Sequence, residues 1–303
     1  MSIPLIRQEP FFPGQLGVHG SDTPRGLRYA SEGNVYWVNN AHPDSSDAHD
    51  GTDPEHPLAT ITQAIANCTA NDEDFIIVQN FTNASETWPI ALSKSKVHLL
   101  CAHHENMVGG RIVTPPADTA AFLITGDRVE VAGFDISAGA THACFEFSTT
   151  AQSWGAHIHH NRLGWMGLCQ DGIRMTGAVD KVNFLIHDNL FNDKITRDGI
   201  RIEQNATRSE IWNNIFRVTD ATGVCINLVT LCTDIYAIHH NYFRCDGAVQ
   251  GDAITCNINS LGCMFFGNQA FHLAANPAQN PYLDLGTNHW GLNYSGDVVT
   301  YPV

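Results

Sequence analysis

The chain has 303 residues, of which 43% are hydrophobic and 16% are charged, a composition that excludes a disordered protein. Acidic residues outnumber basic ones and give a net charge of −15. A protein that binds nucleic acid or an anionic membrane normally presents a basic surface, so neither is an expected partner. A chain of this length buries about three quarters of its unfolded surface and needs no covalent staple.

The nine cysteines occur singly, without a CxxC pair, which argues against a zinc ribbon or a redox motif. Because they lie in apolar stretches, they are typical of reduced core residues in a protein made in a cytoplasm. The first ten residues lack an apolar signal core, so export by the general secretory route is not expected. No apolar run approaches the ~18 residues of a membrane span.

The N-terminal region is rich in helix-breaking residues, with four prolines and five glycines in residues 1–33. We expect an extended arm there, either a simple tail or a segment that orders against a neighbouring subunit. Residues 34–67 then read as a capping strand followed by a helix over 57–67, with Leu58, Ile61 and Ile65 at helical spacing.

The loop between the capping strand and the helix is acidic, and its candidate calcium ligands are Asp47, Asp50 and Asp53. Calcium prefers such carboxylate oxygens. The loop lacks an EF-hand pattern, so we favour a hydrogen-bonded turn, and calcium is the one cofactor left open.

From about residue 130 the chain repeats. One segment type, apolar-x-x-Asn-x-apolar, places its Asn in steps of 28, 25, 27 and 27 residues, at positions 161, 189, 214, 241 and 268. A second, interleaved type keeps nearly the same mean period. About 27 residues is too short for a helix-pair repeat, and the alternating polarity indicates strands. We predict an all-β fold: a single right-handed parallel β-helix, a solenoid over residues 34–275 with a C-terminal cap or tail at 276–303.

The repeated polar residues have expected structural roles. The Asn should adopt the left-handed conformation of a tight bend and stack its amide on the Asn of the next coil. The pairs Asp171–Gly172 and Asp198–Gly199 should mark a second recurrent bend.

The repeat copies Asp198-Gly-Ile-Arg-Ile202 and Ile238-His-His-Asn-Tyr-Phe243 resemble the parallel β-helix repeats of the pectin-lyase-like superfamily. The segment from Asp50 to Ile65 resembles the lead-in and capping helix of such proteins. The resemblance covers about residues 34–275 and implies the fold. It implies no single function, because the superfamily includes lyases, hydrolases, epimerases, phage tailspikes and inert virion proteins.

In each Asn segment the residue two before the Asn should point outward. The resulting external column is a candidate binding or interface surface, and it consists of His159, His187, Trp212, His239 and Phe266. Trp212 interrupts the histidines, and stacked flat rings do not converge on a tetrahedral ion, so no metal site is predicted there. A subunit contact, sugar stacking and plain surface remain open.

The second segment type predicts another outward column, composed of Glu146, Arg174, Arg201, Cys225 and Thr255. If the protein is an enzyme, its candidate catalytic residues are Asp171, Asp198, Glu203, Arg174 and Arg201. Paired carboxylates could serve glycoside hydrolysis, whereas a lyase would need a basic group and a cation. Asp before Gly-Ile is also the generic turn residue of the repeat. The full motif sets of pectate lyases and polygalacturonases are missing, which argues against both of these enzyme classes.

The favoured function is a virion structural protein: a β-helix capsid decoration, spike or fibre with an attachment or stabilising role. It would be a homotrimer, because closed symmetry buries exposed solenoid faces. It would contact other virion proteins through residues 1–33 and assemble in the host cytoplasm. The alternative is a carbohydrate-active depolymerase on the same scaffold, a polysaccharide lyase or glycoside hydrolase that acts on a surface polysaccharide, located outside the cell without a signal peptide.

Overall fold

A computed structural model describes residues 33–102, 111–151, 153–177, 181–203, 206–218, 223–229, 237–245, 252–257, 260–272, 280–295, 298–300 and 302. These residues form a β-solenoid of about seven coils with about 27 residues in each coil. The predicted all-β parallel solenoid is therefore confirmed, and its handedness stays a prediction. The expected arm at 1–33 lies outside the described residues except for Gly33.

Three long sheets run the length of the solenoid, and successive coils add one strand to each. Sheet 1 contains, in spatial order, the strands Val35–Asn39, Asp74–Asn80, Val97–Cys101, Glu130–Ala132, His157–His159, Leu185–His187, Glu210–Trp212, Ala237–His239, Leu261–Phe266 and Thr287–Trp290. Neighbouring strands of this sheet are parallel and stand in register from coil to coil.

Sheet 2 contains Arg111–Val113, Phe134–Ile136, Arg162–Leu163, Leu190–Phe191, Ile215–Phe216, Tyr242–Cys245, Gln269–His272, Asn293–Ser295 and Val298–Thr300. Sheet 3 contains Ile90–Leu92, Phe122–Ile124, Ala143–Phe147, Cys169–Met175, Ile195–Ile202, Val224–Leu228, Ile254–Cys256 and Tyr282–Asp284. A fourth, short sheet contains Ser153–Trp154, Lys181–Val182 and Ala206–Thr207. Strands beyond residue 275 thus continue the three long sheets, and the last two strands of sheet 2 pair antiparallel.

The core is a stack of inward side chains that repeat from coil to coil. Ile158, Ile186 and Ile211 pair in register along sheet 1 and are buried. On the adjoining sheet 2, the rings of Phe191 and Phe216 stack with centroids 4.4 Å apart and an interplanar angle of 9°. This repetition buries a continuous apolar interior although no single coil is stable alone.

A buried Asn ladder closes the turn between sheets 1 and 2. The amide of Asn189 donates to Oδ1 of Asn214 at 3.0 Å, and Asn214 donates to Asn241 at 3.0 Å. The predicted stacking is therefore present, but the predicted left-handed residue is one position off. It is the residue before each Asn, with φ of 53° at Asp188 and 57° at Asn213. The Asn itself points inward, where its amide satisfies backbone groups of the bend.

The two Asp-Gly pairs lie inside strands of sheet 3 rather than at a bend, so that expectation was wrong. Glycine is needed there because the coils approach closely: a Cβ at Gly172 would stand 2.5 Å from the carbonyl oxygen of Gly199. The dipeptide therefore marks close packing of backbone, not a change of direction.

The helix spans Ile61–Asn67 and begins four residues later than predicted, because Thr60 caps it by accepting from the Gln63 amide at 3.0 Å. Ile61 and Ile65 point into the core. A 3-10 turn at Asn83–Ser85 is also present. In the described part of the chain, no helix is long and apolar enough to cross a membrane.

Candidate functional site

The outer face of sheet 1 carries two parallel columns of side chains, because each strand presents outward residues two positions apart. One column lies nearer the start of each strand and is here called the inner column, although it too faces outward. It runs through His98, Glu130, His157, Leu185, Glu210 and Ala237. The second, here called the ring column, is the one predicted from the sequence: His159, His187, Trp212, His239 and Phe266.

The ring column is a continuous stack of flat rings. Ring centroids lie 5.0 Å apart for His159 and His187 and 4.1 Å apart for His187 and Trp212. They lie 6.2 Å apart for Trp212 and His239 and 4.8 Å apart for His239 and Phe266. The rings cover each other's faces, and the imidazole nitrogens at their edges contact side chains beside the column, as for His239 with Glu210 and His240. Phe266 ends the stack and is 37% exposed.

A carboxylate surrounded by imidazoles lies beside the first rings. Oε1 of Glu130 is 2.7 Å from Nε2 of His159 and 3.7 Å from Nδ1 of His157. Its other oxygen contacts Nδ1 of His98, whose Nε2 lies 3.0 Å from Glu73. Both nitrogens of His98 thus face carboxylates, which accept and do not donate when ionised.

A second chain of contacts adjoins this cluster. Nε2 of His157 lies only 2.6 Å from Nε2 of His187. Nδ1 of His187 is 2.7 Å from the Asp188 carboxylate, which also accepts from Asn213 at 2.9 Å. Because an ionised carboxylate only accepts, Nδ1 of His187 carries the proton, and its Nε2 presents a lone pair towards His157.

The groups of this cluster differ in the charge state that their surroundings favour. Burial alone would raise the pKa of Glu130, but hydrogen bonds from His159 and His98 outweigh it and hold that pKa far below its usual range. Burial, with the neighbouring His159, lowers the pKa of His157 to about 3. Burial would also lower the pKa of His98, but Glu130 and Glu73 raise it above the usual value. His157 therefore stays neutral near pH 7, whereas the charged form of His98 is favoured.

Three imidazoles of this surface converge. His157, His159 and His187 each offer a ring nitrogen, and the three nitrogens lie within 4.8 Å of one another. Two of the three, His159 and His187, belong to the ring column and alone would not make a three-ligand site. His157 belongs to the neighbouring column and closes the group. The signal that was available is the spacing His157-Ile-His159, which puts two imidazoles on one face of a strand.

The predicted column of sheet 3 has one wrong member. Glu146, Arg174 and Arg201 stand in register, as expected. The next member is Asn227 rather than Cys225, which is buried. Val224 pairs with the Asp198 position, so the residue aligned with Ile200 is Ile226 and the outward residue follows it. The column then continues to Thr255.

The conditional catalytic residues form a salt-bridge network on sheet 3. Asp171 is buried and accepts from Nε of Arg197 at 2.8 Å. Asp198 is buried and accepts from Arg201 at 2.7 Å. Glu203 accepts from the same Arg201 at 2.5 Å, and Arg174 lies 3.8 Å away from its other oxygen. The structure brings these residues together, but each carboxylate already has an arginine partner.

Burial raises the pKa of Asp198, although Arg201 acts in the opposite direction. Burial would also raise the pKa of Glu203, but the hydrogen bond from Arg201 holds it below its usual value. Asp171 and Asp198 are buried, whereas Glu203, Arg174 and Arg201 are partly exposed at the outer face of sheet 3.

The acidic loop near the helix binds its own backbone. Asp47 accepts from the Ala59 and Thr60 amides, both at 2.9 Å. Asp50 accepts from the Thr52 amide at 3.0 Å, and Asp53 accepts from the Glu55 amide at 2.9 Å. The three carboxylates therefore serve separate turns, as the favoured interpretation of this loop predicted.

Comparisons with known proteins complete the description. Neither protein-family models nor curated proteins give a match. Among solved structures, an alginate lyase from Paenibacillus sp. str. FPU-7 has 11% identity and a TM-score of 0.43, and the alignment covers 79% of this chain and 96% of the alginate lyase chain. Pectate lyase Pel9A has 12% identity and a TM-score of 0.43, and the alignment covers 86% of this chain and 76% of the pectate lyase chain.

A GH136 lacto-N-biosidase from Eubacterium ramulus has 12% identity and a TM-score of 0.33, with 88% of this chain and 68% of that chain covered. The strand order of this chain shows a parallel β-solenoid by itself. The virion role stays a prediction.

Proposed function

We propose that this chain is a carbohydrate-active protein that binds a glycan along the outer face of sheet 1. The observation that carries the proposal is the ring column, a regular row of half-buried ring edges that continues over successive coils. A sugar chain is itself a regular row of hydroxyl groups and apolar ring faces. A periodic protein surface with the same two kinds of contact suits such a polymer.

The end of the ring column offers a partly exposed ring. Phe265 pairs with Trp290, so the residue that faces Phe266 in the next coil is Gly291. Gly291 has no side chain to continue the column, so Phe266 is its last ring among the described residues and is 37% exposed. A pyranose ring can pack there, as apolar sugar faces do on aromatic rings.

The first rings of the column supply groups for cleavage. Glu130, His157 and His159 place a carboxylate and two imidazoles within hydrogen-bond range or just beyond it. Carboxylates and imidazoles are the usual general acids and bases. The reaction class that they suit is acid–base cleavage of a glycosidic linkage. The proposal rests on this site, not on the similar structures.

The test is retention on gels that contain a neutral or an acidic polysaccharide, together with assays for new reducing ends and for unsaturated products. We expect retention on at least one polysaccharide and a loss of about tenfold in affinity for Trp212→Ala, since a buried aromatic contact contributes about 1–1.5 kcal/mol. The matched control is Trp154→Ala, which removes an exposed tryptophan of the short sheet. No retention and no product with any polysaccharide, or an equal loss in both variants, would contradict the proposal.

A further inference from the structure

We propose that His157, His159 and His187 bind one divalent transition-metal ion, with Zn²⁺ as the representative, on the outer face of sheet 1. The inference goes beyond glycan binding and does not depend on it. With the ion bound, His157 and His159 are ligands, and Glu130 is the group of the cluster that is left for acid–base chemistry. The three ring nitrogens lie within 4.8 Å of one another, close enough for small ring rotations to bring all three onto one ion at about 2.0–2.1 Å.

The closest pair of ligands is already oriented. The Nε2 atoms of His157 and His187 face each other at 2.6 Å, shorter than most N–H hydrogen bonds. A proton carried by one of these nitrogens and donated to the other accounts for the contact, and a bound ion would replace that proton. A small outward rotation of either ring opens the pair to the separation that two ligands of one ion adopt.

The outer partners are those of a metal site. Asp188 accepts from Nδ1 of His187 at 2.7 Å, which fixes the tautomer that leaves Nε2 free to ligate. Nδ1 of His157 points to Glu130 at 3.7 Å. His159 contacts Glu130 through one nitrogen and His160 through the other, and it exchanges one of these contacts for the ion.

The charge and exposure of the site fit a cation with one open position. Glu130 contacts His157 and His159, and Asp188 contacts His187. Glu73 lies further out, against Lys96 and His98. The side chains of His157 and His187 are 30% and 13% exposed, so the ion would be held from below and open to solvent above. Three protein ligands and an open position are typical of a catalytic rather than a structural ion.

The donor set also selects the class of metal. Imidazole nitrogen suits Zn²⁺, Cu²⁺ and Ni²⁺, whereas Ca²⁺ takes oxygen ligands. We therefore expect Zn²⁺ and not Ca²⁺ to bind here, which separates this site from the calcium site considered for the acidic loop.

The experiment is calorimetric titration of the chelator-treated protein with Zn²⁺, with the bound metal counted after gel filtration. The wild-type protein should bind one ion. His157→Ala and His187→Ala should each weaken binding by more than 100-fold, and Asp188→Asn by about 10- to 100-fold, the usual cost of losing an outer partner.

The matched control is His239→Ala. His239 has the same two contacts as His159, with Glu210 at 2.7 Å and His240 at 2.7 Å, but stands outside the three-histidine group. It should bind Zn²⁺ as the wild type does. Absence of stoichiometric binding in the wild type, unchanged affinity in the three variants, or an equal loss in His239→Ala would overturn the proposal. Because no glycan is present, a negative result here leaves the glycan-binding test unaffected.

Discussion

Two regions of sheet 1 have nearly the same local structure but differ in chemistry. In the lower region His159 contacts Glu130 from the coil below and its neighbour His160. In the upper region, three coils further on, His239 makes the same contacts at the same distances. The backbone and the imidazole–carboxylate pair are therefore common to the two regions and cannot by themselves determine a site.

The difference lies in two neighbouring positions. The lower region has His157 beside His159 and His187 above it, whereas the upper region has Ala237 and Phe266 at these positions. In the lower region three imidazole nitrogens converge, whereas in the upper region His239 is packed between the rings of Trp212 and Phe266. On this solenoid a site is thus specified by which coils carry a ligand, with the scaffold unchanged.

The largest expected effect is the creation of a second metal site in the upper region. The double substitution Ala237→His with Phe266→His should raise the Zn²⁺ stoichiometry from one to two. The new site should be about 10- to 100-fold weaker than the first, because Gly267 stands where Asp188 supports His187. The Ala237→His single variant is the control and should still bind one ion. A stoichiometry of one in the double variant would break the equivalence of the two regions.

The next effect concerns the scaffold beneath each region. Asn189 lies under the lower region and Asn241 under the upper, and each accepts one backbone amide hydrogen and donates to a main-chain oxygen. Replacing either by Ala leaves several buried groups unpaired and should cost about 2–4 kcal/mol of unfolding free energy. Denaturant unfolding of Asn189→Ala and Asn241→Ala should show similar losses. Exposed Asn213→Ala, outside the ladder, should cost less.

The smallest expected effect is confined to the upper end. A Cβ at residue 291 would lie 3.1 Å from Cβ of Phe266, a tight but adjustable contact. Gly291→Ala should therefore partly cover the Phe266 ring and reduce glycan retention by about two- to threefold, since half of an aromatic contact is about 0.5 kcal/mol. Zn²⁺ binding in the lower region should not change. A shift in Zn²⁺ affinity would show that the two regions are coupled.

The period of the repeat was sufficient to predict the fold and the ring column. Asn and apolar residues recur at fixed steps, and the strand pairing follows those steps. The left-handed conformation occurs one residue before the predicted Asn. The sequence shows that the bend needs such a residue but does not show which of two neighbours adopts the conformation. Cys225 was misplaced because a coil without the Asp-Gly pair shifts the alignment by two residues.

The three-histidine group could not be predicted from one column of the repeat. His157 lies in the inner column, and its approach to His187 depends on the rotamers of both rings and on Asp188. The carboxylates Asp171 and Asp198 were the clearest acidic candidates in the sequence, yet arginines from the next coil or the same strand neutralise them. Which acidic residues remain accessible depends on side-chain pairing between coils, and a repeat pattern does not encode that pairing.

The regular stacking of coils also sets a length scale. His187 and Phe266 are three coils apart along sheet 1, through Trp212 and His239. With adjacent strands about 4.8 Å apart, the two ends are separated by about 14 Å. If a glycan binds here as proposed, an oligosaccharide shorter than this distance would contact one end at a time, and a longer one would contact the three-histidine end and the Phe266 end together.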